Sequence, residues 1–273
     1  MAPMLQSFRS ARLALLAALP LVAGAAEGQE FRSRVSATVA QAEDPTYEAI
    51  RDEVLFGREV AAHILGRHAR VPNFALQRYV NLVGRHLAQF SALPELEFRF
   101  AVIELAAVNA YSTPGGYVLI TSGAIAALQD EAELAAVLAH EIAHVSERHI
   151  VRELRIGTAG ESVEQTLVRL LSSPGETGRT AFLLAVDEAL NILFERGVRK
   201  EQELAADRLA TLLLANAGYD PLALRRFMAR TLGDTAQPSR THPPSPERLA
   251  ALDGLIAAQR LAAPAYPNGA ARF

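Results

Sequence analysis

Cysteine is absent from the 273-residue sequence. Its absence excludes disulfides, thiolate metal ligands, a cysteine nucleophile and any cysteine-linked lipid anchor. A basic excess is missing as well: 27 Lys and Arg against 30 Asp and Glu leave a net charge of −3, so the overall balance gives no sign of a nucleic-acid partner. Beyond the N-terminal region, no stretch is long and charge-free enough to span a bilayer. Internal repeats and a second domain are not evident. What is present is 50% hydrophobic and 21% charged, a globular balance, on a chain long enough to build a core without covalent staples.

Arg9 and Arg12 precede the apolar run Leu13 to Ala23, and small residues follow at Ala23-Gly24-Ala25-Ala26. That order predicts a secretory signal over residues 1–26, removed after Ala25 or Ala26. The run is about half of the roughly 20 residues a membrane span requires, and Pro20 interrupts it. A soluble mature chain in the bacterial periplasm is therefore expected. Residues 27–45 read as a polar lead-in, and 46–273 as one domain.

Apolar residues recur at helical spacing from Tyr47 to Leu65 and again from Leu76 to Leu87. Alternation over Glu97 to Ile103 predicts a strand. Val108 to Ser112 and Tyr117 to Thr121 flank Pro114-Gly115-Gly116, the pattern of a hairpin. Helical patterning then continues almost to the end of the chain. A last helix is expected to open at Ser245-Pro246-Glu247, with serine as cap and proline in the first turn. The expected class is α+β, dominated by helices, with a small antiparallel sheet.

Glu131 to His149 reads as one helix carrying His140-Glu141-Ile142-Ala143-His144. Two histidines four residues apart lie about 40° apart around a helix and roughly 6 Å apart along it, so both imidazoles can converge on one metal ion. Glu141 projects beside them, where a carboxylate can take a proton from water. His149, nine residues after His140 and about 180° around the helix, is read as a structural or surface histidine. A catalytic zinc takes three protein ligands and keeps one position open. The third is sought on another helix, in Lys200-Glu201-Gln202-Glu203-Leu204-Ala205-Ala206-Asp207. Glu203 and Asp207 share a face there. Glu203 is the candidate ligand, and Asp207 is the candidate acceptor for the outer nitrogen of a ligand histidine.

Taken with Tyr79 to Gly84, Val108-Asn109-Ala110-Tyr111, Pro114-Gly115-Gly116-Tyr117, Gly218-Tyr219-Asp220-Pro221 and Thr241-His242-Pro243, these motifs form an ordered set. The set resembles the zinc metallopeptidase family of the CAAX prenyl endopeptidases and HtpX, especially its soluble periplasmic, β-barrel assembly-enhancing branch. The resemblance implies a gluzincin-like fold with the sheet bordering the cleft. It also implies one zinc per chain on His140, His144 and Glu203, with Glu141 as general base. Asn109 and Ala110 would lie on the strand that pairs with extended substrate. His242, in a proline-rich loop, would occupy the open metal position at rest or steady the oxyanion, and Arg248 would be a cleft arginine and the alternative catalytic group that steadies the oxyanion. Taken alone, Asn109 reads first as turn chemistry and His242 as a surface residue, and Arg248 is alternatively a decoration of the last helix. Relatives of this branch carry a tetratricopeptide-repeat domain that this sequence does not show. The insert over residues 155–199, poorly matched, is read as core helices beside the cleft, or alternatively as a lid.

The expected function is a zinc endopeptidase for unfolded or misassembled envelope proteins, outer-membrane proteins among them, with envelope assembly machinery as a possible partner. The rivals are a periplasmic chaperone or assembly factor whose zinc is structural or latched by His242, and a zinc hydrolase of cell-wall amides.

Overall fold

A computed structural model describes residues 47–154, 175–232 and 241–261. The expected leader, the lead-in and the first part of the 155–199 insert lie outside the described residues. In chain order the elements are α1 (Tyr47–Arg67), α2 (Phe74–Ala88), β1 (Arg99–Ile103), β2 (Ala110–Thr113), β3 (Tyr117–Thr121), α3 (Ser122–Ala127), α4 (Glu131–Ser146), α5 (His149–Glu153), α6 (Glu176–Asn191), α7 (Lys200–Asn216), α8 (Ala223–Leu232) and α9 (Pro246–Ala258). A single π-turn, Ile192–Arg196, extends α6.

Local chemistry sets the helix starts. Asp130 accepts from the Glu133 amide at 2.8 Å to open α4, and Ser245 accepts from the Arg248 amide to open α9, with Pro246 in its first turn. Each side chain satisfies a backbone N–H that has no partner within its helix.

The hairpin forms as expected. β2 runs antiparallel to β3, with Tyr111 opposite Leu119, and Gly115 and Gly116 take φ of 71° and 88° in the turn, where a side chain would be strained. The sheet as a whole is mixed rather than antiparallel. Its order is β1-β3-β2, and β1 lies parallel to β3, Phe100 opposite Val118. Strand pairing of this kind is set by packing at long range, which alternation cannot reveal.

Alternate residues of the sheet face two cores. Phe100, Val102, Val118 and Ile120 join Val80, Leu87, Leu134, Leu138 and Leu213 on one side. Ile103, Tyr111 and Leu119 join Phe56, Val60, Ile64, Val186 and Leu190 on the other. The described part of the insert is thus core, with Ile192 and Leu193 also buried. Between the layers α4 is buried along its whole length.

The expected helix to His149 is cut short. α4 stops at Ser146, Arg148 takes a left-handed conformation with φ 56°, and α5 starts afresh at His149. Buried Arg148 pairs with buried Glu53 of α1, which holds the chain in this unusual bend.

Candidate metal centre

α4 and α7 cross where Ala143 and Ala206 pack together with Leu209. Small side chains at a crossing let helix axes approach closely. That proximity brings Glu203 and Asp207, one turn apart on α7, against the two histidines of α4. His140 Nε2 and His144 Nε2 are 3.0 Å apart. The Glu203 carboxylate lies 3.5 Å from the first and 3.3 Å from the second. His242 enters from the loop before α9, its Nδ1 2.9 Å from Glu203 Oε1 and 3.4 Å from His140 Nε2. Donor atoms of all four residues fall within 4.8 Å of one another.

These separations fit a metal ion. Four donors in a tetrahedron around zinc, each at about 2.0–2.1 Å, stand roughly 3.3 Å apart, close to the observed spacings. Glu203 Oε2 is buried without a well-aligned hydrogen bond, with His140 Nε2 at 3.5 Å and Arg248 Nη1 at 2.9 Å.

The outer nitrogens of both histidines have partners. His140 Nδ1 lies 3.1 Å from Asp207 Oδ1, a close approach without ideal hydrogen-bond alignment. Asp207 is held in turn by a two-pronged bond from Arg248, Nε to Oδ2 and Nη2 to Oδ1, both at 2.7 Å. Arg248 Nη1 donates to the Pro243 carbonyl and lies 2.9 Å from Glu203 Oε2. The expected cleft arginine therefore lines the cavity with its nitrogens engaged by the carboxylates. His144 Nδ1 meets His149 Nδ1 at 2.9 Å. His149 is thus buried and structural, not exposed: the bend at Arg148 returns it to the site.

Electrostatics follow from these contacts. Burial disfavours a charge on His140, but Asp207 and Glu203 outweigh it and push the pKa up to about 10. Burial lowers His144. It also drives His149 down to about 2, with His144 and Arg152 adding to the effect. His149 is accordingly neutral, and its Nδ1 lone pair can accept the His144 Nδ1–H. Burial would raise Glu203, yet His242 and the hydrogen bonds from His140 and His144 hold it well below the usual carboxylate range. Asp207 is likewise lowered against burial by Arg248 and His140. The raised His140 can hold a proton against these carboxylates, and a divalent cation bound there would replace that proton.

Glu141, on the same helix, points past the four donors. Ser112 of β2 donates to its Oε2 at 2.7 Å, and His242 Nε2 lies 3.8 Å from its Oε1. In the three-stranded sheet β2 is an edge strand, with β1 at the opposite edge. Asn109 immediately precedes it, and Asn109 Nδ2 donates to Thr241 Oγ1 at 3.1 Å, tying the strand edge to the His242 loop. Beside them opens a cavity of about 100 Å³ lined by Asn109, Ala110, Glu141, His242 and Arg248, with an apolar wall from Val137, Leu224, Phe227 and Met228. The structure brings every sequence-proposed site residue to this one place. Ser112 went unnoticed, because it arrives through the sheet and has no local signal. His149, read as lying away from the metal face of one continuous helix, reaches the site through a left-handed arginine.

The family model of peptidase family M48 matches residues 75–256, which spans the sheet, both site helices and the His242 loop. The chain belongs to peptidase family M48. It is thereby a member of a metallopeptidase family, whose members hydrolyse peptide bonds. Among its relatives, the beta-barrel assembly-enhancing protease of Escherichia coli K12 is 28% identical over 220 residues, covering 74% of this chain and 43% of the relative. A putative protein of the same description from Vibrio cholerae is 28% identical over 211 residues, covering 73% and 43%. The mitochondrial metalloendopeptidase OMA1 of Schizosaccharomyces pombe is 29% identical over 177 residues, covering 63% and 50%. The chain spans less than half the length of the bacterial relatives it matches. Among the described residues, no helix is long and apolar enough to cross a membrane.

Proposed function

We propose that this M48 chain is a zinc-dependent endopeptidase that cleaves unfolded or misassembled proteins of the bacterial envelope, acting in the periplasm. One observation carries the reading: the His140, His144 and Glu203 donors converge at 3.0–3.5 Å with Glu141 one residue from His140. His140, His144 and Glu203 would hold the zinc, with Asp207 and His149 fixing the two imidazoles. Bound there, zinc supplies Lewis-acid polarisation of a carbonyl and lowers the pKa of water toward about 7.

The residues of the chain do the rest. Glu141 takes a proton from water and returns it to the leaving nitrogen, and the Ser112 hydroxyl keeps its carboxylate aimed. The β2 edge at Asn109 and Ala110 pairs with an extended substrate strand, a mode that reads backbone rather than sequence. The apolar wall of the adjoining cavity receives a hydrophobic side chain next to the scissile bond. His242 steadies the oxyanion when it swings from its place beside Glu203, and a preorganised donor of this kind is worth about 3–4 kcal/mol. The contacts of Arg248 favour a positioning role through Asp207 and Glu203.

The bacterial relatives are named for enhancing beta-barrel assembly, which favours misassembled barrel proteins as substrates and their assembly machinery as a partner. Casein cleavage with and without a chelator tests the reading. Cleavage should stop on chelation and return with zinc, and Glu203→Ala should lose both zinc and cleavage. Chelator-insensitive cleavage would overturn it.

A second reading has support in the position of His242, which makes a four-donor set like that of closed, structural zinc sites. In that case the protein is a chaperone or assembly factor. His242→Ala separates the two: faster cleavage marks His242 as a gate, slower cleavage as a catalytic group, and unchanged, absent cleavage with retained chaperone activity favours the second reading.

A further inference from the structure

From Val60 to Pro94 the chain contains no aspartate or glutamate, yet it carries Arg67, Arg70, Arg78 and Arg85. A positive segment of this length stands out in a protein of net charge −3. Its centre is α2. The buried side of that helix, Val80, Val83, Gly84, Leu87 and Ala88, packs on the sheet and α4. At 100° per residue, Phe74, Ala75, Arg78, Leu82 and Arg85 fall within about a third of a turn on the opposite side, and all are exposed. Phe74 is 82% exposed and Leu82 57%, among the largest apolar exposures in the described residues.

Charge pairing sharpens the contrast. Arg99, Arg199, Lys200, Arg225, Arg226 and Arg230 each have a carboxylate partner. Among the described residues, the side chains of Arg67, Arg70, Arg78 and Arg85 form no ion pair and donate no hydrogen bond. The nearby Glu131 is turned inward and held by the Tyr79 and Tyr219 hydroxyls. Guanidinium groups interleaved with an exposed phenylalanine and leucine on one helix face are suited to a surface that is negative outside and apolar just beneath.

We propose that the outer face of α2, with the Arg67–Arg70 segment leading into it, docks on an anionic lipid surface. The arginines meet the headgroup phosphates, and Phe74 and Leu82 enter the acyl boundary. β1 lies on the α2 side of the sheet and β2 on the Glu141 side, so docking leaves the substrate edge accessible.

The absence of cysteine makes a local test clean. A single Ala75→Cys in the full chain, labelled with an environment-sensitive fluorophore, is titrated with vesicles containing about 30% phosphatidylglycerol in phosphatidylcholine. Ala257→Cys, exposed on α9, serves as the control label, so binding through other parts of the chain is distinguished from contact at α2. The Ala75 label should shift to the blue and the Ala257 label should not. Phosphatidylcholine alone should give no shift, and about 0.5 M salt should abolish it. Arg78→Gln with Arg85→Gln should weaken the response about 25-fold, roughly five-fold for each arginine, and leave casein cleavage in solution unchanged. No shift of the Ala75 label, an equal shift at both labels, or an equal response with phosphatidylcholine would overturn the proposal. So would a shift seen only with polyglutamate, which would assign the face to an acidic protein instead.

Discussion

Asp207 receives two N–H groups of Arg248 at 2.7 Å and faces His140 Nδ1 at 3.1 Å, so three donors share two carboxylate oxygens. Replacing Asp207 with Asn keeps the shape but leaves one acceptor oxygen and turns an NH2 toward a donor. It also removes a charge that neutralises a buried guanidinium. Breaking a buried pair by deleting one partner costs about 3–5 kcal/mol. Glu203 Oε2, still 2.9 Å from Arg248 Nη1, keeps this case near the lower end, at about 3 kcal/mol. For a domain of this size that corresponds to a fall in Tm of roughly 6–12 °C. His140 loses its orienting partner as well, so zinc affinity should drop about 10- to 100-fold. Thermal melts with and without chelator, together with a zinc competition titration, read both effects. The double variant Asp207→Asn with Arg248→Met should be less damaged than the sum of the singles, because neither charge is left alone. A single Asp207→Asn that melts and binds zinc like the wild type would refute the placement of Asp207 behind His140.

Other expectations are narrower. Ser112→Ala should reduce kcat about tenfold or more with KM nearly unchanged, since a hydrogen bond to a charged group is worth about 1.5–3 kcal/mol and the Ser112 hydroxyl donates to Glu141. Equal losses in a substrate-affinity measurement would reassign Ser112 to binding. His149 is held near pKa 2 when folded, against about 6.5 when unfolded. The unfolded chain therefore binds the extra proton below pH 6.5, and this group alone costs the metal-free native state about 1.4 kcal/mol per pH unit as the pH falls from there, the lowered His144 adding to it. His149→Gln should flatten that slope in chelator-treated melts, and an unchanged slope would contradict the burial of a neutral His149. In Gly57→Ala the new Cβ would sit 1.6 Å from the Pro114 carbonyl oxygen, a backbone atom that cannot give way cheaply, so a destabilisation of about 3 kcal/mol is expected in urea unfolding.

What the sequence disclosed is what helical periodicity encodes. The spacing of His140 and His144, and that of Glu203 and Asp207, places each pair on one face whatever the tertiary structure does, and the hairpin follows from Pro114-Gly115-Gly116. The Ser245 cap and Pro246 start were readable for the same local reason. Contacts between elements were not. The parallel pairing of β1 with β3 depends on how α2 and α4 cover the sheet. The Ser112 contact to Glu141 exists only once β2 lies beside α4. His149 was misjudged as lying on the far side of a continuing helix, because an arginine, unlike glycine or asparagine, gives no warning of a left-handed bend. Here tertiary force, the Glu53 to Arg148 pair, overrides local preference. Arg248 shows the opposite case: its place in the last helix was clear, but only packing reveals that its guanidinium serves the carboxylates.

The most direct test compares metal content and casein cleavage in the wild type and Glu141→Gln, each before and after chelation. The account predicts about one zinc per chain in both proteins, cleavage by the wild type only, and a loss of at least a hundredfold in the variant. A Glu141→Gln protein that cleaves like the wild type, or a wild type that cleaves as well without metal, would contradict it.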